Sequence, residues 1–336
     1  MDFLISGSRG DPRSRLAELG GAMLASNDAS HALSLAAAGP AFGMMPPPEG
    51  RRFGGWVDGY GTFGNLDGST NSSATSWWSA GVLAGFDLIL REHGLLGLTA
   101  GWSRVTPDLD DRNLDGKADV FQGGLYGAYV SERIYVGGLA RYAYSDFDTD
   151  RKLRFAGTDL AGNASASYSG HEAGGFVELG YVALAPDAWQ IEPMVAGHFN
   201  WLLRESFRER GSDALIDALS LDAEQETWTS IVTAVGVRVH KRFSLDEALS
   251  IQPEVWGAWA HEFGDRDRPL EARFKGAGPG AGRFRVLGAT AARDGGQFGA
   301  GWSVSRNDLT LFFYYDGNAN ADLIANGFTA GVVIRW

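Results

Sequence analysis

The densest set of oxygen ligands in the chain is Asp111-Arg112-Asn113-Leu114-Asp115-Gly116-Lys117-Ala118-Asp119. Its DxNxDG spacing is that of a calcium loop, in which alternate oxygens turn toward one ion and a glycine permits the sharp turn. The twelfth position, where a bidentate Glu completes such a site, is Gln122, and no helical pattern flanks the run. An acidic, solvated turn is therefore the favoured reading, with Asp111, Asn113, Asp115 and Asp119 as ligands of a loosely held Ca²⁺ in the other. Gly59-Tyr60-Gly61-Thr62-Phe63-Gly64 matches GxGxxG letter for letter, but no helix follows it and no acidic partner sits on a second strand. Those glycines read as members of a barrel strand rather than a dinucleotide cradle. The six His are scattered, with neither HExxH nor a Ser-centred elbow, so no zinc site or hydrolase triad can be drawn. Arg9-Gly10-Asp11 spells an integrin-binding tripeptide, a match too short to outweigh chance.

Other charged residues recur at a period of two inside apolar segments. Ile251, Val255, Trp259 and Phe263 oppose Gln252, Glu254 and Glu262, and Ile191, Val195, Phe199 and Trp201 oppose Gln190, Glu192, His198 and Asn200. Alternation of this kind defines β-strands with one apolar and one polar face. Strands are expected near 53–64, 76–90, 95–105, 118–131, 133–147, 165–185, 189–206, 225–242, 248–263, 292–305, 309–316 and 323–336, which makes twelve. Five connections are short: 91–94, 131–132, 185–188, 244–247 and 306–308. Between them lie long polar stretches: 65–75, 106–117, 148–164, 208–224 and 264–291. An even strand count with short turns at one end and long loops at the other is the pattern of an outer-membrane barrel. The many Trp near strand ends (Trp56, Trp77, Trp78, Trp102, Trp189, Trp201, Trp228, Trp256, Trp259, Trp302) suit interfacial girdles, so the charged face is placed in the lumen. The inward set is Asp58, Asp87, Gln122, Arg141, Glu178, Glu192, Arg238, Glu254 and Glu262.

Composition agrees with one large β-domain. Gly numbers 47 of 336 residues, aromatic residues reach 12% and hydrophobic residues only 44%. No run approaches the ~18 to 20 apolar residues of a membrane helix. The net charge of −12, with basic residues scattered, offers no nucleic-acid surface. Cys is absent, which removes disulfides, thiol nucleophiles and Cys-based zinc sites. Residues 1–52 differ from the rest. Ser14–Ala38 could form one or two short helices, whereas Gly39-Pro40 and Pro46-Pro47-Pro48 break any helix, so this stretch reads as a linker or the end of a passenger segment before a barrel over 53–336. The first residues lack the basic start and the apolar core of about 7 to 15 residues of a secretory signal. A targeting sequence is thus expected upstream, with the chain the carboxyl-terminal part of a longer precursor.

The last eight residues, Thr329 to Trp336, alternate cleanly and stop on an aromatic residue. Thr329, Gly331, Ile334 and Trp336 resemble the carboxyl-terminal β-signal of bacterial outer-membrane proteins. With Trp56, Gly59 and Gly61, Gly85-Phe86-Asp87, Gly101-Trp102, Phe176 to Tyr181, Ile191-Glu192-Pro193 and above all Ile251 to Phe263, they are similar to the β-domain of classical autotransporters. The resemblance covers roughly Gly54 to Trp336. It implies a twelve-stranded antiparallel transmembrane β-barrel with a partly helical amino-terminal linker entering its lumen. It also implies residence in the outer membrane of a Gram-negative bacterium, in contact with its lipid, and export of an amino-terminal passenger by type V secretion. The barrel-assembly machinery and periplasmic chaperones are implied as partners. No cofactor and no enzymatic activity of the barrel itself are implied. Some relatives cleave their passengers with lumenal carboxylates. Here the linker has no adjacent Asn pair, so charges paired with one another and with water are the favoured reading. The alternatives are a free-standing porin-like channel and, behind it, an outer-membrane hydrolase.

Overall fold

The computed structural model describes residues 52–68, 74–90, 94–109, 114–131, 133–154, 161–184, 189–265, 269–278, 281–288 and 290–336. The Arg-Gly-Asp run, the expected linker helices, Asp111 and Asn113 lie outside these.

Twelve long antiparallel strands close into a cylinder. Six come in direct succession: β1 (Phe53–Leu66), β2 (Thr75–Leu90), β3 (Gly94–Leu109), β4 (Leu114–Val130), β5 (Ile134–Arg154) and β6 (Ala161–Tyr181). After β7 (Gln190–Arg204) come short strands that include β8 (Phe207–Arg208) and β9 (Leu221–Ala223), with the pair Arg210–Gly211 and helix α1 (Ala214–Ala218) between them. Then follow β10 (Glu226–His240), β11 (Leu249–Glu262), the short β12 (Pro269–Phe274) and β13 (Arg283–Leu287), and finally β14 (Asp294–Arg306), β15 (Leu309–Asn320) and β16 (Leu323–Arg335). Closure joins the last strand to the first, with Trp56 opposite Val333 and Asp58 opposite Gly331. A closed sheet leaves none of these strands with an unpaired edge, which a bilayer would otherwise punish at several kcal/mol per bare group.

Strand parity sorts the faces. Val57, Phe63, Val82, Leu98, Phe121, Leu125, Val177, Val195, Val235, Val255, Ile324 and Ile334 stand exposed on the outside, an apolar band suited to lipid. Asp58, Asp87, Glu178, Glu192, Asn200 and Thr329 are buried inside. Aromatic side chains collect at two levels of the outer face. Phe53, Phe86, Tyr129, Tyr181, Trp189 and Trp336 lie by the short turns, and Phe63, Trp78, Trp102, Tyr142, Trp201 and Trp259 about ten residues further along their strands. Four of the expected girdle tryptophans are not there. Trp56 and Trp256 share parity with Asp58 and Glu254, and Trp77 and Trp228 are buried at 3% and 8% exposure, so all four turn into the lumen.

The external end also departs from the sequence reading. Residues expected as loops over 106–117 and 148–164 largely continue as strand, so that β5 and β6 run for 21 residues each, roughly twice what crosses a membrane. The last external connection is tight, since β15 reaches Asn320 and β16 begins at Leu323. Stretches 208–224 and 264–291 carry a second sheet in the order β13-β12-β9-β8. One face of it buries Phe207, Leu221, Ala223, Leu270 and Ala272 against Val105, Ala118, Val120, Ala143 and Ala166 of β3 to β6. Those wall residues share the lumenal parity of their strands, so the small sheet lies on the inner side of the outer mouth.

Candidate functional site: the lumen

The lumen holds four groups of charged side chains at three heights. Near the short turns, Arg238 of β10 gathers carboxylates from three strands. Its Nη1 donates to Glu178 Oε1 at 3.0 Å and to the Tyr135 hydroxyl at 2.8 Å. Its Nε lies 3.2 Å from Glu254 Oε1, and Nη1 lies 3.8 Å from Glu192 Oε2. Register explains the convergence: β10 has β7 on one side and β11 on the other, with Arg238 opposite Glu192 and His240 opposite Glu254. His240 Nε2 is 3.0 Å from the other oxygen of Glu192, and Tyr135 donates to Glu178 at 2.7 Å. Tyr135 lies flat against β6 because its cross-strand partner is Gly180, where an added Cβ would sit 2.2 Å from the tyrosine ring. A planar guanidinium suits this node, since its donors fan out to several acceptors at once.

At the seam, Asp87 of β2 accepts from the Tyr126 hydroxyl at 3.0 Å and from Arg335 Nη1 at 3.4 Å, while Trp56 Nε1 donates to Tyr126 at 2.7 Å. Half-way up, Arg141 donates to Gln122 Oε1 at 3.2 Å and pairs with Glu172, and Gln122 reaches the Tyr60 hydroxyl at 3.5 Å. At the outer end Glu262 is a backbone cap: its oxygens take the Ile231 amide at 2.8 Å, the Gly264 amide and the Ser230 hydroxyl. Asp58 is 2% exposed and neither of its oxygens has a hydrogen-bond partner.

All nine residues of the expected inward set therefore stand on the lumenal face. Eight of them enter networks, and Asp58 stays apart. Tyr135, Tyr126, Trp56, His240, Glu172 and Arg335 are network members that the charge pattern alone missed. Parity with the neighbouring acids was the signal that could have found them. The DxNxDG run does not form a turn where it is described. Asp115 and Asp119 belong to β4 and point outward, Asp115 taking Lys152 Nζ at 2.8 Å and Asp119 taking Arg104 Nε at 3.0 Å. Thr329, Gly331, Ile334 and Trp336 occupy the closing strand. Thr329 is buried inside opposite Tyr60, and Ile334 and Trp336 face outward.

A cylinder closed first strand to last, apolar and aromatic outside and charged within, is an outer-membrane β-barrel. The sequence profile described as the autotransporter beta-domain matches residues 55–316, and the chain belongs to that family. It is an outer-membrane translocator domain of type V secretion. An extracellular serine protease of Serratia marcescens is 25% identical over 285 residues, covering 84% of this chain and 26% of its own length. The chain thus spans about a quarter of that relative. Among solved structures, the translocator domain of NalP from Neisseria meningitidis matches with a TM-score of 0.67 at 14% identity, over 94% of this chain and 97% of that one. The β-domain of the Bordetella autotransporter BrkA matches at 0.60 and 19%, over 85% and 100%. At these identities the likeness is one of fold.

Proposed function

We propose that this barrel is inserted by the barrel-assembly machinery, after escort by periplasmic chaperones. A polypeptide joined to its amino-terminal side passes through the lumen, and the barrel then anchors or releases it at the surface. The observation that supports this most directly is the engagement of Arg238 with three carboxylates from three strands of the lumenal wall. Side-chain charges engaged with one another at the wall are less available to grip a passing polypeptide than unpaired ones. The carboxylates around Arg238 serve this engagement rather than peptide cleavage, and the barrel is no enzyme in its own right. The acidic residues Asp115 and Asp119 form a solvated surface of the strand rather than a calcium site, a reading supported by their engagement with Lys152 and Arg104. Calorimetric heat on adding Ca²⁺ that disappears in Asp115→Ala would overturn that last reading.

The test of export is an epitope fused ahead of Met1, downstream of a supplied signal sequence. Antibody and protease should reach the epitope on intact cells while the barrel shows heat-modifiable migration. An epitope that stays periplasmic behind a folded barrel would sink the proposal.

A further inference from the structure

The small external sheet has its roots and its contacts on different arcs of the cylinder. Strands β8, β9, β12 and β13 are fed by β7, β10, β11 and β14, which lie side by side in the barrel. Its apolar face, however, rests on β3, β4, β5 and β6, the arc that precedes β7. The sheet therefore leans across the outer mouth from one arc to the next. Its far side is fixed by a buried ion pair. Arg151 of β5 and Glu209, one residue past β8, are each 1% exposed. Arg151 Nε donates to Glu209 Oε1 at 2.9 Å, a second guanidinium nitrogen bonds Oε2, and the Leu221 amide donates to that same oxygen at 2.8 Å. Next to it, Arg210 and Gly211 pair with Ser165 and Ala164 of β6, and Ile216 of α1 packs on Leu153 and Ala164.

We propose that this sheet is a lid on the translocation path, rooted on β7, β10, β11 and β14 and latched to the β3–β6 wall by Arg151 and Glu209. The inference rests on the translocator reading and adds the regulation of its exit. A buried ion pair suits a latch that must release. It fixes one docked register, yet water returns its desolvation cost when the lid lifts, so it holds less firmly than apolar side chains of equal volume. A polypeptide leaving the lumen displaces the lid, and the apolar face settles back once the path is empty.

Two measurements on the full chain in intact cells test this. Ala143 is fully buried on the wall beneath the lid and the chain contains no Cys, so Ala143→Cys is a single reporter. A membrane-impermeant maleimide should label it slowly, and at least tenfold faster once Glu209→Gln is added. Fast labelling with the latch intact, or no acceleration without it, would overturn the lid. The second measurement locks it. Arg210→Cys with Ser165→Cys places thiols on directly opposed residues of an antiparallel pair. Oxidation should cut surface arrival of an epitope ahead of Met1 at least tenfold, and a reductant should restore it in the same variant. Equal arrival in both redox states would overturn the lid and leave the translocator standing. An epitope absent from the surface even when the lock is reduced and the barrel folded would overturn both.

Discussion

Arg335, the penultimate residue, reaches over the first strand to the second and places its Nη1 3.4 Å from Asp87 Oδ1. The residue it crosses is Gly54, which stands opposite both Arg335 and Asp87 in the two registers. A Cβ on Gly54 would lie 2.5 Å from the Asp87 carboxylate oxygen and 2.9 Å from its carboxyl carbon. The absent side chain is what lets two strands that are not neighbours form an ion pair, so the seam carries a second tie beside its backbone ladder.

Gly54→Ala should push Asp87 away from Arg335 and behave like Arg335→Ala. Each leaves a lumenal charge without its partner, at a cost on the order of 3 kcal/mol. Urea unfolding of detergent-folded barrel, followed by heat-modifiable migration, reads this. The double variant Gly54→Ala, Arg335→Ala should cost little more than either single one, because both remove the same contact. Full additivity would show that the glycine serves something other than the pair.

Trp336 closes the same seam differently. Its carbonyl accepts from the Arg52 and Phe53 amides at 3.1 Å, its own amide donates to Phe53 at 3.0 Å, and its ring lies 6.0 Å from Phe86 on the outer face. The backbone bonds survive Trp336→Ala, whereas the aromatic end of the closing strand does not. The variant should therefore reach the outer membrane at a reduced level while the barrel that does assemble unfolds within about 2 kcal/mol of the parent, the scale of burying one such side chain. Membrane levels equal to the parent would contradict a role for this residue in assembly.

Much of this was legible in the residues, because a lipid-exposed strand must alternate and the alternation fixes facing. The placement of Glu178 beside Val177, and of Glu254 beside Val255, needs nothing more than parity. Two things were not legible. Tryptophan serves in a girdle or in a lumen, and only parity relative to Asp58 or Glu254 separates Trp56 and Trp256 from Trp78 and Trp259. The outer part of the wall also breaks the polar-inside rule. Val105, Ala118, Val120 and Ala143 are lumenal yet apolar, because a sheet drawn from distant loops covers them. That sheet was written in Leu270-Glu271-Ala272-Arg273-Phe274 and Phe284-Arg285-Val286, which alternate cleanly but sit among charges dense enough to read as loop.

Arg238 should be the costliest lumenal cation to remove. Arg238→Ala leaves Glu178, Glu192 and Glu254 facing one another, and loss of about 3 to 5 kcal/mol in unfolding free energy is the scale for breaking such a buried cluster. Arg238→Lys should recover only part, since one ammonium cannot fan out to three carboxylates and the Tyr135 hydroxyl together. Adding Glu178→Gln to Arg238→Ala should restore stability by relieving like-charge contact. A double variant weaker than Arg238→Ala would show that the carboxylates are not held together by the guanidinium.

Acid should loosen the external sheet before it touches the barrel. Lys275 and the Gly211 amide hydrogen-bond the Asp217 carboxyl and hold it below the ordinary carboxylate range. The Ile216 and Leu215 amides do the same for Asp213, the cap of α1. Burial pushes Asp222 upward, but its bonds from Arg273 and Arg208 outweigh that and leave it depressed. A carboxyl with a depressed folded pKa binds fewer protons folded than unfolded, so its stabilisation is complete above its ordinary value and fades as pH falls through the folded one. The ordinary value is 3.8, so docking should be constant from neutral pH to about 4 and weaken below it. Pepsin, active throughout that range, should spare residues 205–225 at pH 4 and cut there at pH 2, with the closed barrel left intact. Asp217→Asn should be cut more readily than the parent at pH 4 and converge with it at pH 2, because protonation and substitution remove the same charge. Cleavage that is independent of pH, or a variant that stays separated from the parent at pH 2, would mean that these carboxylates do not hold the sheet.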